Sequence, residues 1–233
     1  MSQSADRNET GQLLPATEAA LEGGDLEQLV QALGTERVIV PVPVETHPDR
    51  AEGQHVPIDL DAQMPLPVIT SPAGPAVRVY SSAAALGADD PTARPYPLSS
   101  SRAAATALAL GAEHLWLCSA DHDSVVVPRP ALEALAAGDT WQAPWKDTEL
   151  RDQLQVIASG ASPAGRAVRV GLAAGENGIL IVDVTVGVGA QQQVPPETLR
   201  REVAQILAKV SGAPRLRGAA HHVEVRPRLL PMV

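Results

Sequence analysis

The sequence predicts an α+β fold built from two small units of mixed helices and strands, and three stretches carry that prediction. Residues 94–138 read as extended segment, helix, strand, tight turn, strand and helix, with a capping or breaking residue at nearly every boundary. Residues 148–226 read as helix, hairpin, helix and strand, the pattern of a small α+β sandwich. Between them, residues 139–147 (DTWQAPWKD) collect turn residues and two Trp. The expected organisation is therefore an N-terminal tail over 1–24, a first domain over 25–146 and a second over 147–233.

Taken in order, residues 1–24 are polar and Gly-bearing, which predicts a mobile tail with one helical turn near 17–21. Asp25 then caps a helix whose Leu26, Leu29, Val30 and Leu33 share one stripe, with Gln28 completing a capping box and Gly34 ending the run. Residues 37–44 (RVIVPVPV) alternate as a strand. Pro41 and Pro43 lie two apart, so both missing N–H groups fall on one side, which predicts a sheet edge or a strand end. Residues 45–63 lack periodicity and carry His47, His55, Asp59 and Asp61, a connection long enough to be either mobile or functional. Residues 65–70 and 76–82 flank Ser71-Pro72-Ala73-Gly74-Pro75 as a hairpin, and Ser82 caps a brief Ala-rich turn of helix.

In the organising stretch, Ser99 to Ser101 offer hydroxyl caps for an Ala-rich helix that stops at Gly111. Residues 114–118 and 124–127 are apolar strands around the polar turn Ala120-Asp121-His122-Asp123. Pro130 opens a last helix and Gly138 closes it. Farther on, Leu150, Leu154 and Ile157 mark one side of a helix over 148–158. Residues 166–173 and 178–186 form a hairpin with Asn177-Gly178 as its turn signal. Pro195-Pro196 start the cleanest amphipathic helix, with Leu199, Val203, Ile206, Leu207 and Val210 on its apolar face and Arg200, Arg201 and Glu202 expected to stay wet. Gly212 and Pro214 stop it, and residues 222–226 supply a final strand.

Composition narrows the function classes. The 233 residues include no Phe, three Trp and two Tyr, so the core is packed from Val, Leu, Ile and Ala around Trp116, Trp141 and Trp145. A formal net charge of −9 opposes nucleic-acid binding, which needs a concentrated basic face. The longest apolar runs are too short to span a bilayer, and the polar start shows no signal-peptide core, so no membrane role is expected and the expected address is cytoplasmic. Cys118 is the single cysteine and has no internal disulfide partner.

The stretches DAQMPLPVIT, VRVYSSAAAL and ARPYPLSSSRAAATALALGAEHLWLCSADHDSVVVPRPALEALAAGDTW together resemble the SseB family of bacteria, named for enhanced serine sensitivity. The resemblance covers about residues 25–146, and the second half fits the family's C-terminal domain in outline. Tyr80-Ser81-Ser82 stands where the family carries an aromatic-Thr-Ser turn, and Ser119-Ala120-Asp121-His122 replaces an Asp-Pro turn. The resemblance implies a fold and no established reaction, cofactor or partner.

The candidate sites each have a plain structural reading. Asp121, His122 and Asp123 place two carboxylates and an imidazole in one turn, but Asp is favoured there for its local backbone bonds, and no further metal ligand follows from spacing. Cys118 alternates onto the face of Trp116 and His114, which suits a structural thiol better than a reactive one. His222, Glu224 and Arg226 share a strand face, as solvent-facing polar residues also do. The glycines at 171, 175, 178, 187 and 189 lack the strand-to-helix context of a phosphate loop. No catalytic, cofactor or metal constellation emerges. The leading expectation is a non-catalytic binding or regulatory protein that meets a protein partner or itself through a sheet face, an exposed edge or its hairpins. Asp121, His122, Asp123, Trp141 and Trp145 are its candidate surface residues. One alternative is a hydrolase or transferase using Asp121, His122 and a group from 45–63. The other is a structural homo-oligomer anchored by Trp141 and Trp145.

Overall fold

A computed structural model describes residues 11–42, 66–71, 74–162, 166–189 and 195–232. The fold is α+β, with two separate sheets, and the chain divides into two compact units, Met1–Trp141 and Gln142–Val233.

The first unit corrects the expected tail. Helix α1 (Pro15–Gly23) begins with Pro at its first position, and Leu14, Thr17 and Ala20 are buried. Its N-cap residue makes no side-chain cap; Glu36 supplies one instead, accepting from the N–H groups of Ala16 and Thr17. Helix α2 (Leu26–Leu33) buries Leu29, Val30 and Leu33, and its Asp25 cap accepts from Glu27 N–H.

Strand β1 (Arg37–Val42) lies inside the first sheet, so the edge reading of its prolines fails and the strand-end reading holds for Pro41. β1 meets β3 (Gly74–Tyr80) only at Ile39 opposite Tyr80, leaving Pro41 beyond that pairing. Pro43 and the whole 45–63 segment lie outside the described residues. One edge is instead β4 (Arg94–Ser99), which pairs with β1 alone and sets Pro95 and Pro97 two apart; the other end of the order is the strand Val125–Pro128. Prolines at that spacing turn their missing donors away from β1, where no ladder needs them. β2 (Val68–Ser71) forms the expected hairpin with β3, and β3 runs parallel to β5 (His114–Cys118), which pairs with β6 (Val125–Pro128).

Helices α4 (Ser100–Ala109) and α5 (Arg129–Ala137) pack on each other and on this sheet. Val77, Val79, Leu115, Leu117 and Val127 are almost wholly buried on one sheet face. The other face is less closed: Tyr80 and His114 are buried, while Trp116, Cys118 and Val126 are half-exposed. The apolar strands over 114–127 are therefore closed on one face only. Helix α3 (Ala83–Asp89), capped by the Ser82 hydroxyl, gathers Ile39, Tyr80, Ala85 and Leu86 into a small cluster. It is held there by Asp89, which accepts from Tyr80 Oη (2.5 Å) and pairs with Arg78 (2.7 Å), whose guanidinium stands 5.8 Å from the Trp116 ring centre.

In the second unit, α6 (Thr148–Gly160) and α7 (Pro196–Ser211) cover one face of the sheet β7 (Val168–Ala174), β8 (Leu180–Gly189), β9 (Val223–Met232). Leu150, Leu154, Val182, Val184, Ile206 and Val210 build the core with almost no exposure. Asn177 (φ 55°) and Gly178 (φ 74°) both sit in the left-handed region in the β7–β8 turn, as the Asn-Gly signal requires. Several expectations change. Leu199, Val203 and Leu207 are half-buried, so the α7 stripe centres on Ile206 and Val210. Glu202 is not wet but pairs with Arg166 at 2.8 Å, their side chains 14% and 4% exposed. A short helix α8 (Pro214–Ala219) follows, with Leu216 buried, where the sequence predicted only a stop. β9 runs parallel to β8 and extends beyond the expected 226.

Both edges of this sheet are blunted. Gln155 of α6 lies along β7, its Nε2 donating to Val168 O (2.8 Å) and its Oε1 accepting from Val170 N–H (2.9 Å). On β9, Leu180 N–H donates to His222 O, so even-numbered residues turn their backbone groups toward β8. Pro227 and Pro231 then fall on the outer edge, where they remove donors that an added strand would use.

Candidate functional site

The ends of parallel strands β3 and β5 leave a crevice of about 380 Å³ in the first unit. In open α/β sheets, ligands bind outside the carboxyl ends of such strands, because side chains and loops diverge there. Three chain segments line it: Gly11-Gln12-Leu13, Ser82-Ala83-Ala84 and Ser119-Ala120-Asp121.

Backbone bonds hold these segments together. Ser81 N–H donates to Cys118 O at 2.9 Å, joining the two strand exits, and Ala83 N–H donates to Gly11 O at 2.7 Å. Arg37, 6% exposed, donates one guanidinium nitrogen to Ser81 O at 3.5 Å and another to Gln12 O. Burial pushes its pKa down from the usual value, and the neighbouring Glu36 carboxylate acts against that. Gly11 has φ 70°, and a Cβ there would lie 2.9 Å from Ala83 Cβ, so the close approach that walls the crevice needs glycine.

The polar inventory is small. The hydroxyls of Ser81 and Ser119 are buried and have no hydrogen-bond partner among the described residues. Buried hydroxyls are ordinarily satisfied, so such groups beside a cavity mark a place where another molecule completes the bonding. Asp121 is exposed at the rim, His122 half-exposed and Asp123 exposed. Among the described residues no local turn bond to these aspartates is found, whereas Asp90 makes one by accepting from Thr92 N–H and Thr92 Oγ1. His47, His55 and Asp59, which an enzyme reading would bring to Asp121, lie outside the described residues.

The other candidates are not among the residues that line the crevice. Trp141 is buried, 9% exposed, and Trp145 is half-buried against the second unit's core, so Trp141 is not the exposed anchor an oligomer would use. Cys118 is half-buried; burial pushes its thiol up, with the Ser124 side chain acting against that. His221 and His222 are exposed just before β9 and stack edge to face at 4.6 Å. Glu224 and Arg226 pair at 2.6 Å on the polar sheet face, where Asp183 also holds Arg228.

One pair went unseen in the sequence. Ser71 Oγ lies 2.8 Å from His114 Nε2, the spacing of a nucleophile and its base. Its hydroxyl, however, donates to Gly74 O at 2.9 Å, so it accepts from the imidazole instead of giving it a proton. Both side chains are buried, and the pair ties the β2–β3 hairpin to β5. Only the β2–β3–β5 register brings residues 43 apart into contact.

The fold and crevice thus describe a two-unit α+β protein with a small recess at the ends of two parallel strands. The family model for the SseB protein N-terminal domain matches residues 13–134, over half of the chain, and the chain belongs to the SseB family. No curated protein and no solved structure matches it. The match begins at residue 13 and so takes in α1, which the resemblance read from 25 onward left out. Of the two stretches read above as differing from the family's pattern, Ser82 in one and Ser119, Ala120 and Asp121 in the other line the crevice.

Proposed function

We propose that the protein is a non-catalytic binding or regulatory module, and that its recognition site is the crevice at the ends of β3 and β5. The observation that carries this reading is Ser119, which lines the crevice and whose hydroxyl is buried without a partner among the described residues. A group left unsatisfied costs about 1–3 kcal/mol, a cost that a bound ligand removes. The blunted edges at β4, β7 and β9 add support, because they disfavour recognition by strand addition and leave the recess as the better surface. No helix among the described residues is long and apolar enough to cross a membrane. Cytoplasmic residence and a protein partner or small ligand are part of the same proposal.

Crystals of the protein soaked separately in several small organic probes test the site. Different probes should cluster in the recess and bond to Ser119. Probes that gather elsewhere and leave it empty would contradict the assignment.

A further inference from the structure

We infer that the crevice takes a primary ammonium group. This rests on the crevice being the binding site and adds the chemical class of the ligand.

The groups around the recess sort by charge. Asp121 is the one charged residue among those that line it, and no hydrogen bond or ion pair engages its carboxylate among the described residues. Ser119 Oγ has no partner. Ser82 Oγ accepts from Ala85 N–H at 3.1 Å and retains a second lone pair. An ammonium carries three donors and no acceptor, and the lining sets one carboxylate and two serine residues around the recess.

Several groups that would draw an anion are committed elsewhere. The Arg37 guanidinium donates to the carbonyls of Ser81 and Gln12. Among the first N–H groups of α3, that of Ala83 donates to Gly11 O and that of Ala85 to the Ser82 hydroxyl. The rest of the wall is Gly11, Leu13, Ala83, Ala84 and Ala120, small and apolar, which suits a short alkyl stem behind the charge. A free alkylamine and a lysine side chain share that chemistry, and about 380 Å³ accommodates either.

Titration of the ¹⁵N-labelled full chain with propylammonium, propionate and propanol, at equal ionic strength, tests this by amide chemical shifts. Propylammonium should move the amides of residues 82–84 and 119–121 saturably, with the other two at least about tenfold weaker. Asp121→Asn should weaken the amine by about tenfold or more, while Asp123→Asn, outside the lining, should leave it unchanged. Pentane-1,5-diamine and N-acetyl-lysine methylamide then separate the sources, and tighter binding of either supports the class. Equal binding of propanol or propionate at these amides would overturn the ammonium assignment while leaving the crevice as a binding site. Equal affinity of Asp121→Asn for the amine, or no shift with any probe, would also overturn it, and the crystal soaks decide the site itself.

Discussion

The Thr17 hydroxyl donates to Glu36 at 2.6 Å, and the Thr17 N–H donates to the same carboxylate oxygen at 2.9 Å. A residue at the start of β1 thus caps a helix that ends before α2 begins, while the next residue, Arg37, grips Gln12. Glu36→Ala should release residues 11–23, at a cost of about 1–3 kcal/mol for the orphaned donors. Limited proteolysis should then cut within that segment while the rest of the first unit persists; an unchanged cleavage pattern would show that the cap is not what holds α1.

Ile206 is fully buried and Leu207 half-buried, although they are neighbours on α7. Truncation to Ala should cost about 2–5 kcal/mol at Ile206 and clearly less at Leu207. Denaturant midpoints of the two variants measure the difference, and equal losses would mean that the helix face has been misassigned.

Asp147 caps α6 by accepting from Leu150 N–H, and it also pairs with Arg215 at 3.1 Å. The bond from Leu150 N–H, aided by Arg215, holds its carboxyl below the usual range. A depressed folded pKa means that its contribution is complete above the unfolded value of about 3.9 and is lost as pH falls through the folded one. Asp147→Asn should therefore narrow the fall in stability below about pH 4, while costing about 0.5–2 kcal/mol near neutrality for the weakened cap. Unfolding curves at several pH values will show parallel acid slopes in both proteins if Asp147 is not involved.

Gln155 satisfies the outer edge of β7 with both ends of its amide. Gln155→Leu keeps the bulk and removes both bonds, leaving Val168 O and Val170 N–H open to another strand. The variant should associate with rising concentration in sedimentation velocity, where the parent does not gain mass. A variant that stays as the parent does would show that the Gln155 amide is not what protects this edge.

Much of this architecture was legible in the sequence because local chemistry and tertiary packing agree. Ser82, Asp147, Gly138 and Asn177-Gly178 act where their types predict. The misreadings have one cause, partners remote in sequence. α1 looked like a tail because its cap lies 19 residues away, and Glu202 looked wet because Arg166 lies 36 residues before it. Pro41 looked like an edge residue because its strand's neighbours could not be ordered from periodicity. At the site, Asp121 was visible as part of a polar turn, while the recess beside it was not. That recess needs the parallel β3–β5 pairing, Arg37 and Gly11 together, and none of these marks the others in the sequence.

The central claim is that the crevice binds, and native mass spectrometry tests it most directly. The full chain is incubated with the small-molecule fraction of a bacterial extract, alongside Ala84→Phe, whose exposed position lets the ring fill the recess without entering the core. The parent should carry a discrete small-molecule adduct that the variant lacks, while both show the same circular dichroism. No adduct on the parent, or the same adduct on both, would contradict the account.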